Sequence, residues 1–194
     1  MKFWNSGKGE SNILQNQFTR YLKTSIQRKK QDLIRPRSQV YAHDSYDDSW
    51  QDIRGLKTLD LRVKRHSANA LKVAEWLESQ PSDVIERVWY PGLESHPGHE
   101  IAARQMHGGF GGIVSVQLAA GAEAAKHFVD HTQIFTLAES LGGVESLIEV
   151  PAAMTHASVA GTTLQVPANL VRISVGIENA DDLIADLKQA LDRI

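Results

Sequence analysis

Residues 55–81 read GLKTLDLRVKRHSANALKVAEWLESQP, and their spacing decides the architecture. Leu56, Leu59, Val63, His66, Ala70, Val73 and Leu77 step by three and four in turn, which places them on one stripe of a helix. Lys64, Arg65, Lys72, Glu75 and Glu78 fall off the stripe and face water. Pro81 ends the element. The pattern predicts one long helix over residues 47–79. His66 lies on the stripe, where a hydrogen-bonded histidine at a packing interface is a better reading than a metal ligand.

Downstream the periodicity alternates between two and 3.6. A strand is expected over 84–90, stopped by Pro91-Gly92, then a short helix over 98–106 with Ser95 or His96 near its start. In residues 113–118, Val114, Val116 and Leu118 alternate with Ser115 and Gln117, so one face of that strand is buried. A helix over 122–131 follows, then strands over 134–138 and 146–148 around a Leu141-Gly142-Gly143 turn. The last strand, 170–177, puts Val171, Ile173 and Val175 on its apolar face. The final helix opens with Asn179 as cap and Asp181-Asp182 in its first turn, where the helix dipole favours anions. Leu183, Ile184, Leu187 and Leu191 form its buried stripe. Amphipathic strands of this kind suit a sheet covered on one face by helices.

Charge divides the chain. Residues 1–37 carry nine Lys/Arg against two acids, whereas the remainder carries twelve against twenty-one. The first stretch reads as a basic leader, solvated rather than bound to nucleic acid or membrane, because no base-reading motif accompanies the charge. Phe18, Leu22 and Ile26 allow a short amphipathic helix there, before Arg28, Lys29 and Lys30, and Pro36 would end it. The apolar runs are a few residues long, far short of the roughly 20 that cross a bilayer. There is no cysteine, so there is neither a disulfide framework nor thiolate chemistry.

Four features carry chemistry. His96, His99 and His107 lie close in sequence but lack the companions of a metal site, so no metal is expected. Gly108, Gly109, Gly111 and Gly112 precede a strand instead of a helix, which favours a tight turn or close backbone approach over a phosphate loop. Arg172 stands mid-strand on the face opposite Val171 and Ile173. A guanidinium there must find an anion. It is either a fork for a bound carboxylate or a partner of Glu139, Glu145 or Glu178. Glu139-Ser140 sits where a strand meets the glycine turn, and a solvated carboxylate is the plain reading.

Read together, these segments resemble one family. Arg54-Gly55-Leu56-Lys57-Thr58-Leu59 opens the long helix, and Tyr90-Pro91-Gly92-Leu93 runs to Ser95-His96-Pro97. The phrase from Phe135 through Glu139-Ser140-Leu141-Gly142-Gly143 to Leu147 follows, then Met154-Thr155-His156-Ala157-Ser158-Val159 and Leu170-Val171-Arg172-Ile173-Ser174-Val175-Gly176-Ile177-Glu178. In this order they resemble the cystathionine γ-synthase/γ-lyase family of fold-type-I pyridoxal-phosphate enzymes. The resemblance covers about residues 45–191, and none is seen for 1–37. It implies an α+β fold: a long linking helix followed by a small, mostly antiparallel sheet with helices on one face. The domains expected are a basic leader over 1–40 and a C-terminal domain over 41–194.

The resemblance also implies roles. Arg172 would bind the α-carboxylate of the amino-acid substrate, Ser140 would lie near that carboxylate, Glu139 is typical of the γ-type enzymes, and Thr155 would lie close to the site. The family's Schiff-base lysine and the groups that hold pyridoxal phosphate precede the long helix in family order. Here a basic leader stands in that place, so no catalytic and no cofactor-binding residue is expected in this chain. The segment 160–169 looks shorter than in the family. The expectation is therefore the C-terminal part of a transsulfuration enzyme, truncated and inactive alone, cytoplasmic, forming a homo-oligomer or pairing with an intact family member. The competing reading is a non-catalytic interaction module.

Overall fold

A computed structural model describes residues 55–159 and 161–194. The expectations for the basic leader, and for helix over 47–54, lie outside the described residues. The chain divides into two compact units, Met1–Lys57 and Thr58–Ile194, and the second is the subject here.

Helix α1, Leu59–Glu78, starts where the Thr58 carbonyl accepts the Arg62 N–H at 3.1 Å. The expected stripe is buried only in its second part. His66, Ala70, Val73 and Leu77 are buried, together with Ser67, Asn69 and Ala74 one step round the helix. Leu56 and Val63 remain exposed. His66 has the interface role read from the sequence: its Nδ1 lies 2.6 Å from the Val175 carbonyl.

Strand β1 is Ile85–Trp89. The short helix α2, His99–Gln105, is preceded by Gly98 and not capped by either expected residue. Ser95 instead hydrogen-bonds the Glu78 carboxylate, and His96 Nδ1 accepts the Gly98 N–H at 3.0 Å. Strand β2 is Ile113–Leu118 and helix α3 is Gly121–His131. Two short strands follow, β3 at Thr136–Leu137 and β4 at Leu147–Glu149. Helix α4, Pro151–Met154, and a 3-10 turn, Ala157–Val159, were not anticipated. Strand β5 ends at Ser174, three residues before the expected 177. Beyond it the backbone pairs irregularly, Val175 N–H with Gly112 O at 2.8 Å and Ile177 N–H with Val144 O at 2.9 Å. Helix α5, Ala180–Leu191, has the expected cap, Asn179 accepting the Asp181 N–H at 2.9 Å.

The sheet order is β1-β2-β5-β4-β3, antiparallel except for the β4–β3 pair. Helices α1, α3 and α5 pack together over one side. Val114, Val116 and Leu118 from β2 and Val171 and Ile173 from β5 point into them, joined by Val73, Leu77, Phe128, Leu183 and Leu187. The alternation read from β2 and β5 is the burial observed. Close approach explains two of the glycines. A Cβ on Gly109 would stand 2.5 Å from Ser67 Cβ, and Gly109 has φ +127°; one on Gly112 would stand 3.1 Å from both His66 Cβ and Val175 O.

Two buried polar groups hold this arrangement. Asp186 of α5 is 5% exposed and accepts the N–H groups of Gln133, Ile134 and Phe135 at 2.8, 2.7 and 3.2 Å, so it caps the chain entering β3. Asp186→Ala strands those donors and is expected to cost about 2–4 kcal/mol in urea unfolding; a loss below ~1 kcal/mol would show that water replaces the carboxylate. Tyr90 is fully buried and donates to Gly111 O at 2.9 Å. Burial pushes its pKa from 10.0 up to about 12. The folded state therefore holds the phenolic proton more tightly than the unfolded chain. Its contribution is intact below about pH 10 and falls as pH rises toward about 12. Urea midpoints should decline across that window in the native sequence and decline less in Tyr90→Phe.

Candidate functional site around Arg172

The register of β5 builds the site. Arg172 is paired across the sheet with Ser115 of β2 on one side and Glu149 of β4 on the other. Strand alternation turns all three away from the helices, while Val171 and Ile173 face them. The Arg172 side chain is 18% exposed and its Nη1 lies 3.0 Å from Glu149 Oε1; the glutamate is 1% exposed. Arg172 Nη2 donates to the backbone carbonyls of Glu139 and Ser140 at 2.8 and 3.2 Å. Its Nε–H meets no acceptor among the described residues.

The ion-pair reading of Arg172 needs correcting in one respect. It does form an ion pair, but with none of the three acids considered. Glu139 reaches it only through its carbonyl. Glu178 is occupied elsewhere, accepting the Ser146 N–H at 2.7 Å and the Ser146 hydroxyl at 2.9 Å. Ser146 Oγ accepts the Gly176 N–H at 2.8 Å, so this trio ties the start of β4 to the end of β5. Glu149 was missed because it sits in an apolar run, Leu147-Ile148-Glu149-Val150, that reads as plain buried strand. The usable signal was the charge itself, since a carboxylate inside such a run requires a partner.

The turn after β3 is pinned beside Arg172. Gly142 N–H donates to Ser174 Oγ at 3.0 Å, and Gly142 takes φ +76°, the left-handed region that glycine adopts freely. This brings the exposed residues Glu139 and Ser140 to the guanidinium. Thr155, at the end of α4, joins through Glu149: its hydroxyl lies 3.2 Å from Glu149 Oε1 and 2.7 Å from His156 Nδ1. The structure thus gathers Arg172, Glu139, Ser140 and Thr155 into one cluster, with Thr155 reaching Arg172 through Glu149.

The cluster suits a carboxylate and does not suit pyridoxal phosphate. The described lysines lie on exposed stretches of helix. Lys64, Lys126 and Lys188 pair with Asp60, Glu123 and Asp192 at 2.8, 2.7 and 2.6 Å. Lys57 and Lys72 are exposed. None of the five contacts Arg172, Glu149 or Thr155. Among the described residues, no group of three or more His, Asp or Glu side chains is arranged to hold a metal, and no helix is long and apolar enough to cross a membrane.

Comparison with known proteins shows the family. The chain is 61% identical over 145 residues to a cystathionine gamma-synthase of Mycobacterium leprae (strain TN), covering 75% of this chain and 37% of that protein. It is 54% identical over 149 residues to a cystathionine beta-lyase of Lactococcus lactis subsp. cremoris (strain MG1363), covering 75% of this chain and 38% of the relative. Among solved structures it is similar to metB from Corynebacterium glutamicum, with TM-score 0.69 and 59% identity over 72% of this chain and 36% of that one. The chain therefore spans little more than a third of the length of these relatives. The Cys/Met metabolism PLP-dependent enzyme family matches residues 18–192, a span that opens within the segment read as a leader. On that match, and on relatives this similar, the chain belongs to the Cys/Met metabolism family of PLP-dependent enzymes.

Proposed function

We propose that this chain supplies the substrate-carboxylate side of a PLP-dependent enzyme of sulfur amino-acid metabolism that makes or breaks the carbon–sulfur bond of cystathionine. The observation that carries the reading is Arg172, a largely buried guanidinium with fixed partners and an Nε–H that no described residue accepts. A planar fork held in this way is pre-organised for the carboxylate of an amino acid. Relatives named for cystathionine chemistry, both synthase and lyase, supply the substrate class.

In this reading Arg172 binds the α-carboxylate and the Glu139–Ser140 carbonyls hold the guanidinium plane. Thr155 acts through Glu149. The cofactor supplies the electron sink in the family, and the lysine that binds it covalently comes from a part of the assembly outside the described residues. The partner is another copy of the chain or an intact family member. The chain alone is inactive.

Two outcomes test this. The purified chain, incubated with pyridoxal phosphate and borohydride, is expected to yield no adduct by mass spectrometry; a trapped adduct on one specific lysine would overturn the assignment of the cofactor lysine to another part. In titrations with L-cystathionine followed by NMR, Arg172→Ala should abolish the carboxylate response. Ser140→Ala should leave stability within about 0.5 kcal/mol, because the contact to Arg172 uses the main-chain carbonyl. A response that survives Arg172→Ala would sink the carboxylate assignment.

A further inference from the structure

We infer that Glu149 is a positioning residue that sets the orientation of Arg172, and that Thr155 and His156 set Glu149 in turn. The inference rests on the reading of Arg172 as a carboxylate binder and adds the groups that aim it.

Glu149 comes from β4 directly opposite Arg172 and is 1% exposed. Its Oε1 takes both Arg172 Nη1 at 3.0 Å and the Thr155 hydroxyl at 3.2 Å. A carboxylate paired with a guanidinium only accepts hydrogen bonds, so Thr155 must donate to it. Thr155 Oγ1 then accepts from His156, which places the His156 proton on Nδ1, 2.7 Å away. The chain of donors has one direction, imidazole to hydroxyl and hydroxyl to carboxylate, and the guanidinium is ion-paired to the same carboxylate oxygen. Glu149 Oε2 is buried with no hydrogen-bond partner among the described residues.

That unpartnered oxygen matters. A buried ion pair stabilises no more than well-packed apolar side chains of similar volume, and an unsatisfied carboxylate oxygen lowers its worth further. Stability is therefore a poor reason for a carboxylate at this position. Its geometric consequence is specific. With Glu149 on Nη1 and two carbonyls on Nη2, rotation of the guanidinium about its last bonds is blocked on both terminal nitrogens, and Nε–H keeps a fixed direction. Binding groups work when their rotamers are locked by surrounding hydrogen bonds, and a misplacement of about 1 Å costs up to ~100-fold in rate.

The test uses the full 194-residue chain, labelled with 15N, and reads the arginine Nε–Hε resonances, with Arg172 assigned by its loss in Arg172→Lys. Glu149→Asp keeps the charge but withdraws the carboxylate by one methylene. It is expected to speed Arg172 Hε exchange with solvent about tenfold and to weaken the probe L-norleucine about tenfold. Thr155→Val, at an exposed position that spares the fold, should move the same resonance in the same direction by a smaller amount. Wild-type exchange and affinity in Glu149→Asp would overturn the proposal, as would an unmoved Arg172 resonance in Thr155→Val. If Glu149→Asp fails to fold, Thr155→Val decides alone. A wild-type chain whose Arg172 ignores L-norleucine refutes the carboxylate reading, while the exchange comparison still decides whether Glu149 fixes Arg172. Equal L-norleucine affinity in wild type and Glu149→Asp refutes the positioning role and leaves the carboxylate reading standing.

Discussion

Strand β5 has a neighbour on each side, β2 and β4, both antiparallel to it, and the rest of the site follows from that placement. A central strand must satisfy every backbone group through the sheet, so its register is fixed along its length. Alternation then leaves no freedom for the side chains. Val171 and Ile173 go to the helices, and Arg172 goes to the other face with Ser115 and Glu149 at its sides. A slip of one residue would drive the guanidinium into the apolar core, at a cost far above that of any single contact in the site. The hydrophobic register of the sheet is thus what puts Arg172 on the face away from the core.

The loop that completes the cluster is held by a second set of bonds independent of Arg172. Glu178 and Ser146 join β4 to the chain after β5, and Ser174 takes the Gly142 N–H. Asn69 of α1 donates to Gly176 O and Glu178 O at 3.0 and 2.9 Å, so the long helix clamps the same junction from the core side. His66 does likewise at Val175. The buried polar residues His66 and Asn69 of α1 therefore serve the end of β5, where regular pairing stops and backbone carbonyls need donors.

This division explains what the sequence made legible. Elements with strong periodicity were readable: α1, β2 and α5 occur where the spacing of Val73, Val114 or Leu187 put them. The cap at Asn179 was readable because its chemistry is local. The early end of β5 was not, since the chain beyond it bonds to the distant residues Gly112 and Val144, and helix α4, Pro151–Met154, was not because a single turn is too short to show a period. At the candidate site, Arg172, Glu139, Ser140 and Thr155 were singled out through family resemblance, and the structure brings them together, whereas periodicity alone left Arg172 between two readings. Glu149 escaped both routes, because its role appears only when β4 is laid beside β5.

On the carboxylate-binding reading proposed for Arg172, the pairing with Glu149 also changes what kind of anion site it would be. An unpaired guanidinium on a surface attracts any anion through its net charge, and that attraction is weakened by salt. Arg172 and Glu149 together are neutral, and the pair is mostly shielded from water. What remains is directed: an Nε–H with a fixed orientation beside a turn that is itself pinned. Such a site selects by the position of the incoming oxygen more than by its charge, since a misaligned carboxylate gains little from a neutral pair and meets the buried Glu149 carboxylate as a like charge. Discrimination of this type would tolerate high ionic strength, because it would depend on directed hydrogen bonds at a largely buried ion pair and not on a long-range field.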